Sequence, residues 1–481
     1  MIQHWFLTLS AAGALLLGGC LNMAPEYRRP GAPVPDAWPS GAAAGATEAP
    51  TPPELPWDAF YADPVLQELV TIALENNRDL RLAVKNTDLA AALYGIERDT
   101  LYPSFYASAG GALQKQSQHL LGANQPRRAK AYDVNFGVLS WEPDFFGRIR
   151  NLSDEARETF LAAAENWRGA RILLTSSVAK AYLSLVADRE SLALAEATLK
   201  TQRDAYSLIK RQFDEGLATE LTLRQAQITV ETARGDVARL SRQVTLDRNA
   251  LTLLLGAALP DTAQANTLND IRDMTDIAAG LPSELLLQRP DIMAAEHRLK
   301  AANAFIGVAR AAFFPSISLT AVFGTASNQL AGLFEGGSGT WSFVPQMTLP
   351  IFDARTWSGY RVSKAKQELA LVEYERTIQA AFREVSDALA VRDSIGLQLE
   401  AQEALVQALM ETHRLANIRY EQGIDSFLNV LDAQRNLFSA QQGLIALRLA
   451  QATNKVHLYA VLGGDAGAPG GDAPDAPEAT R

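Results

Sequence analysis

Asp425, Leu428 and Asp432 recur at i, i+3 and i+7, so they fall on one face of a helix. If three copies of the chain met on an axis, each position would form a ring of three. Two acidic rings beside an apolar step favour cations and hinder anions. If the helix stands in water, the same acids are an ordinary solvated face, favoured near a helix start by the dipole. The spacing alone suits both. Arg419, just ahead of the three, can hold a closed tip by pairing with a carboxylate on a neighbouring helix. Covalent chemistry finds little footing. His4, His119, His297, His413 and His457 are scattered without metal-ligand spacing, and Gly336-Gly337-Ser338-Gly339 lacks the second glycine of a nucleophile elbow. No catalytic residue, cofactor or metal is expected. A formal net charge of -10 argues against a nucleic-acid partner.

Cys20 is the one cysteine of the chain. It follows an apolar run, Trp5 to Gly19, that is too short to span a bilayer and ends in Leu16-Leu17-Gly18-Gly19. This reads as a secretory signal over residues 1–19, cut ahead of a cysteine that takes lipid, although Met1-Ile2-Gln3-His4 lacks the usual positive charge. Residues 20–62 are rich in Pro, Ala and Gly and read as a lipid-anchored extended segment. Residues 464–481 have a similar composition with added acids, a disordered tail. No later apolar run reaches about 18 residues, so any membrane crossing must use strands.

The elements that position these residues occur twice. Phe213, Gly216, Leu221, Ala226 and Gln227 fall opposite Tyr420, Gly423, Leu428, Ala433 and Gln434 at an offset of about 207. Each glycine ends one apolar-periodic segment shortly before another begins, which marks the tip of an antiparallel helical hairpin. At the places of Asp425, Leu428 and Asp432 the first copy has Ala218, Leu221 and Gln225, so the acidic character belongs to one hairpin. Pro103 and Pro315 match at an offset of about 212 and mark a helix-to-strand switch, while Pro143 and Pro350 match at about 207 where the strands end. Between them, Tyr132, Val134, Phe136 and Val138, and Ile317, Leu319, Ala321 and Phe323, alternate with polar or small residues as in a sheet with one apolar face. Four strands cannot enclose a pore, since even about eight leave room only for side chains. A soluble sheet over a hydrophobic core explains the alternation equally well; the lipid signal and the lack of a covering element favour a barrel, and in that case several chains must share it.

Helical patterns run from Pro64 to Leu101, Ser153 to Asp214, Glu220 to Leu255, Pro290 to Phe314 and Ser358 to Glu421. Leu174, Val178, Leu185, Leu192, Ala195, Leu199, Tyr206 and Ile209 form a heptad seam interrupted by Asp188 and Gln202. A helix of about 60 residues reaches roughly 90 Å and the return helix about half that. The opening helix of each unit has the length to stack end to end on the return helix and complete the strut. The organisation expected is a first repeat at 63–256, a connecting segment at 257–289 and a second repeat at 290–463.

Several ordered motifs carry a resemblance: the lipid-box cysteine, Asn76-Asn77-Arg78-Asp79-Leu80, Trp141-Glu142-Pro143-Asp144-Phe145-Phe146-Gly147-Arg148, Gln288-Arg289-Pro290-Asp291-Ile292, Ala311-Ala312-Phe313-Phe314-Pro315-Ser316 and Leu431-Asp432-Ala433-Gln434-Arg435. Together they resemble the outer-membrane factors of the TolC family, in particular the OprM-like channel lipoproteins of tripartite efflux pumps. The resemblance implies an α+β fold: a homotrimer with an outer-membrane β-barrel, four strands from each chain, continued by a long periplasmic α-helical barrel. It implies a periplasmic gate at Leu428 and Asp432, with Asp425 and Arg419 beside them. A periplasmic adaptor (membrane fusion) protein would meet the tips at Phe213, Gly216, Tyr420 and Gly423. The other implied partners are an inner-membrane transporter of the RND type and outer-membrane lipid, and the cargo is small molecules such as drugs. A conduit for metal-ion efflux or type I protein secretion stays open at this point.

Overall fold

The structure is a computed structural model and describes residues 22–35, 38, 55–117, 119, 127–277 and 283–464. Cys20, the expected signal segment and the tail after Gly464 lie outside the described residues. The first repeat contains α1 (Trp57–Phe60), α2 (Pro64–Asn76), α3 (Arg78–Asp99), β1 (Phe105–Lys115), β2 (Arg128–Trp141), α4 (Arg148–Asp214) and α5 (Glu220–Leu255). The second contains α6 (Pro290–Ala311), β3 (Ser316–Ser327), β4 (Gly339–Thr348), α7 (Ala354–Glu421) and α8 (Phe427–Val461).

Four boundaries differ from those read in the sequence, each for a local reason. The opening helix is not continuous to Leu101. It breaks at Asn77, whose backbone is extended (ψ 132) and whose Oδ1 accepts the Leu80 amide at 2.9 Å as the cap of α3. The long helices start earlier than Ser153 and Ser358. Gly147 turns in the left-handed region ahead of α4, where Asp144 accepts the Arg150 amide at 2.8 Å, and Asp353 caps α7 through the Arg355 amide at 2.9 Å. Helix α6 stops at Ala311, a few residues ahead of Pro315.

The strands form one antiparallel sheet in the order β1-β2-β3-β4. Its register separates two chemistries. One face carries Phe105, Val138, Ala321 and Phe343 in one transverse row, and Ala107, Phe136, Phe323 and Trp341 in the next. Phe136 stacks 5.9 Å from Phe105 and meets Phe323 edge-on at 5.4 Å. The opposite face carries Ser108, Gly110, Asp133, Asn135, Gly324, Thr340 and Ser342, with Tyr106, Val322 and Val344 among them. An aromatic face against a mainly small, polar one is the pattern of a strand pair between lipid and a watery lumen. The register slips between Val138 and Trp141, where Ser140 takes a positive φ of 55 and β2 bends toward α4.

Pro103, Pro143, Pro315 and Pro350 all lie in the short connections between helix and strand. There Arg148 grips Glu142 at 2.9 and 2.7 Å, and Phe146 stacks on Phe314 at 4.9 Å, tying the two repeats together at the sheet's base. Below this level α4, with 67 residues, is about 100 Å long. The shorter helices complete the second strut by stacking. The Asn77 amide nitrogen donates to the Leu254 carbonyl at the end of α5 (2.8 Å), and the Arg289 guanidinium donates to the Val461 carbonyl at the end of α8 (2.6 Å). Orphan carbonyls at the end of one helix are thus satisfied from the start of the next.

The core lies at the equator, where Phe60, Tyr61, Leu69, Val178, Tyr182, Leu185 and Leu251 are buried and Phe60 stacks on Tyr459 at 4.0 Å. The segment after α5 wraps this waist, with Arg189 donating to the Ala263 and Ala265 carbonyls. One 18-residue stretch of α4 is apolar enough to cross a bilayer, and 61% of it is buried inside the protein. Its apolarity serves packing along the rod.

Candidate functional site: the helical hairpin tips

Both hairpins turn through the same local geometry. Gly216 (φ 76) and Gly423 (φ 72) occupy the left-handed region, and each donates its amide to the carbonyl of the aromatic residue three positions earlier, Phe213 or Tyr420, at 2.9 Å. The next amides, of Leu217 and Ile424, reach back to the Gln212 and Arg419 carbonyls at 2.7 and 2.9 Å. Thr219 then caps α5 through the Thr222 amide. Between the two tips, Ile209, Leu223, Ala226, Phe427, Val430 and Leu431 form a buried cluster with Tyr206 and Tyr420 against it. Leu217, Leu221 and Ile424 stay exposed at the end of the rods.

Asp425 departs from the sequence reading. It lies in the turn ahead of α8, off the helical face shared by Leu428 and Asp432. Its carboxylate receives Arg419 in a paired hydrogen bond, 2.6 and 3.2 Å, so within this chain the partner of Arg419 stands in its own turn. The Arg419 hydrogen bond holds the Asp425 carboxyl below the usual carboxylate range, and the same bond raises the guanidinium. Leu428 and Asp432 do come together. They line a groove of about 270 Å³ with Gln225, Ile228 and Thr229 of α5, and Asp432 pairs with Arg435 at 2.7 Å. Leu428 is 46% exposed in the single chain.

Higher on the same hairpin is a pair that spacing did not single out. Asp188 of α4 is pushed up to about 7, first by burial, then by the hydrogen bond and charge of Asp247 on α5. One Asp247 oxygen accepts from Gln243 at 3.0 Å, while the other is buried. Burial and the neighbouring carboxylate together favour the protonated form of Asp188. The visible signal was Asp188 as a polar interruption of the heptad seam; its partner on the facing helix carried none. The other interruption, Gln202, is buried and accepts the Thr229 hydroxyl at 2.7 Å.

A family profile described as outer membrane efflux protein matches residues 69–257 and 281–464. The chain belongs to the outer membrane efflux protein family. The two matched segments repeat the displacement of the internal copies, about 212 positions at their starts and about 207 at their ends. Two relatives from Pseudomonas putida are each 46% identical over 458 residues, covering 94% of both chains: the antibiotic efflux pump outer membrane protein ArpC and the toluene efflux pump outer membrane protein TtgC. Among solved structures, the open state of the MtrE outer membrane channel of Neisseria gonorrhoeae matches with a TM-score of 0.83 and 37% identity, over 92% of this chain and 98% of that one. This member of the outer membrane efflux family is an outer-membrane component of an efflux pump, with the α+β fold of the TolC-like channels.

Proposed function

We propose that three copies of this chain form a conduit through which an inner-membrane transporter and a periplasmic adaptor discharge small molecules to the exterior. The observation that carries this reading is the two-faced, open sheet. Among the described residues β1 and β4 have no second partner strand, and a sheet left with two free edges in a membrane must pair them. Copies related by a three-fold axis satisfy this when β1 of one pairs with β4 of the next, closing twelve strands. The helices continue the same seams. Leu82, Leu89, Leu93 and Ile96 are exposed along α3 below β1, and Val362, Leu369 and Val372 along α7 below β4, at spacings suited to helix-on-helix packing.

In this trimer Leu428 and Asp432 converge on the axis as the periplasmic gate, with the Arg419–Asp425 pair stiffening the turn that carries them. Phe213, Gly216, Tyr420 and Gly423 form the surface an adaptor hairpin meets, and Cys20 anchors the assembly by lipid. Pro103, Pro143, Pro315 and Pro350 mark where barrel gives way to helical tunnel. The relatives named for antibiotics and toluene support small organic cargo, and the transporter in this reading is of the RND type. The conduit itself performs no chemistry.

The test is export in cells that lack their own outer-membrane component but keep the adaptor and transporter. The parent chain should lower accumulation of a fluorescent drug. Gly423→Trp should assemble normally and fail to lower it, because the site takes φ 72 and a large side chain there obstructs a partner's approach. Unchanged export by an assembled Gly423→Trp protein would remove the tip from adaptor docking.

A further inference from the structure

The first strand pair carries an unbalanced cationic patch at its outer end. Lys115 stands directly opposite Arg128 across the β1–β2 ladder, and Lys130 stands opposite Leu113. Directly opposed residues share a face, as do residues two apart along a strand. The register therefore puts Lys115, Arg128 and Lys130 on the same face as Phe105, Phe136, Phe323 and Trp341, and all three cations are exposed. The one acidic residue between Phe105 and Trp141 is Asp133. It pairs with Gly110 on the opposite face, where it accepts from Asn135 at 2.6 Å. The patch thus has no carboxylate on its own face of the hairpin, in a chain whose net charge is -10. The second hairpin has no counterpart, since Glu335 is the one charged residue between Ser316 and Thr348.

Height in the membrane follows from the same ladder. Strand β1 enters from the helical side through Pro103, so its far end faces outward. The stretch from Phe105 to Leu113, outward side chains apolar or glycine, has the length of about 9 residues that a tilted strand needs to cross the hydrocarbon layer. Lys115 is the next outward-facing residue. Its level, shared by Arg128, is that of the outer-leaflet headgroups, and Lys130 stands one row below, opposite Leu113, where a long side chain extends to the same height. Clustered cations at that height suit phosphate through charge-assisted hydrogen bonds.

We propose that Lys115, Arg128 and Lys130 form a binding site for the phosphate groups of glycolipid headgroups in the outer leaflet. The site rests on the barrel reading above. Binding there would clamp a lipid against β1, the edge strand that pairs with a neighbouring copy.

The test uses the full protein extracted from outer membranes in detergent and titrated with diphosphoryl lipid A under native mass spectrometry. The copy number of each particle reports the barrel reading separately from lipid binding. The parent should appear as three copies with bound lipid A. The Lys115→Gln, Arg128→Gln, Lys130→Gln variant should also appear as three copies, with affinity weakened about tenfold or more. Asp133→Asn should bind as the parent does. Lipid A stripped of phosphate should bind the parent no better than the triple variant, and millimolar inorganic phosphate should not displace the lipid. Equal binding by the triple variant, equal binding of stripped lipid, or displacement by inorganic phosphate would each overturn the site. If the triple variant assembles poorly, the three single variants are read in the same way. A parent particle of single copies would contradict the barrel reading itself.

Discussion

Arg419 and Asp425 are joined by two hydrogen bonds, Nε to Oδ2 at 2.6 Å and Nη2 to Oδ1 at 3.2 Å, across the turn that Gly423 makes possible. The pair closes the turn on itself at the entrance to α8. Removing either partner should loosen the turn and raise the conductance of the resting channel in a planar bilayer, without changing ion preference. Because both act through one contact, Arg419→Ala combined with Asp425→Ala should do no more than either alone. Additive increases would show that the two residues act separately.

The gate itself should respond differently. In the proposed gate the carboxylate of Asp432 would set charge, and Leu428 one turn earlier an apolar width. The Leu428→Ala, Asp432→Ala double variant should raise conductance several-fold and reduce cation preference, read from reversal potentials in a salt gradient. An unchanged magnitude and preference would return these residues to a solvated helix face.

The Asp188–Asp247 pair makes stability depend on pH in a definite direction. The Asp188 carboxyl titrates near 7 in the folded protein against an ordinary 3.8, so between these values the folded state holds a proton that the unfolded chain has released. Its contribution is therefore fully present below the unfolded value and is lost as pH rises through about 7. Asp188→Asn, which keeps the shape and removes the charge, should raise the melting temperature at pH 8 and leave it nearly unchanged at pH 4. A larger gain at pH 4 than at pH 8 would reverse the assignment.

Asn77 caps α3 and holds the end of α5 with one side chain. Asn77→Ala removes the cap and leaves the Leu254 carbonyl without that donor, a loss of about 1–3 kcal/mol. Thermal unfolding should report it, and conductance of the assembled channel should not change. A variant as stable as the parent would mean that water replaces both bonds at no cost.

Much of this architecture is legible in the sequence because it is written twice. Gly216 with Gly423 and Pro103 with Pro315 fix turns and switches by backbone constraints that local residue type expresses directly. The alternation around Phe136 and Phe323 likewise announces a two-faced sheet. Long-range partners are another matter. That Asn77 reaches Leu254, or that Asp188 meets Asp247, depends on how two distant helices are set against each other, and neither residue's neighbours in the chain report it. Asp425 shows a third case. Its i, i+3, i+7 relation to Leu428 and Asp432 holds on an uninterrupted helix, but α8 begins only at Phe427 and the carboxylate turns back to Arg419.

The central claim is that one chain supplies four strands of a barrel that three chains close. Native mass spectrometry of the protein extracted from outer membranes in mild detergent tests this most directly. The account predicts a particle of three copies that separates only when the detergent or heat disrupts the sheet. A single-copy particle recovered from the soluble periplasmic fraction, with its aromatic face intact in water, would contradict it.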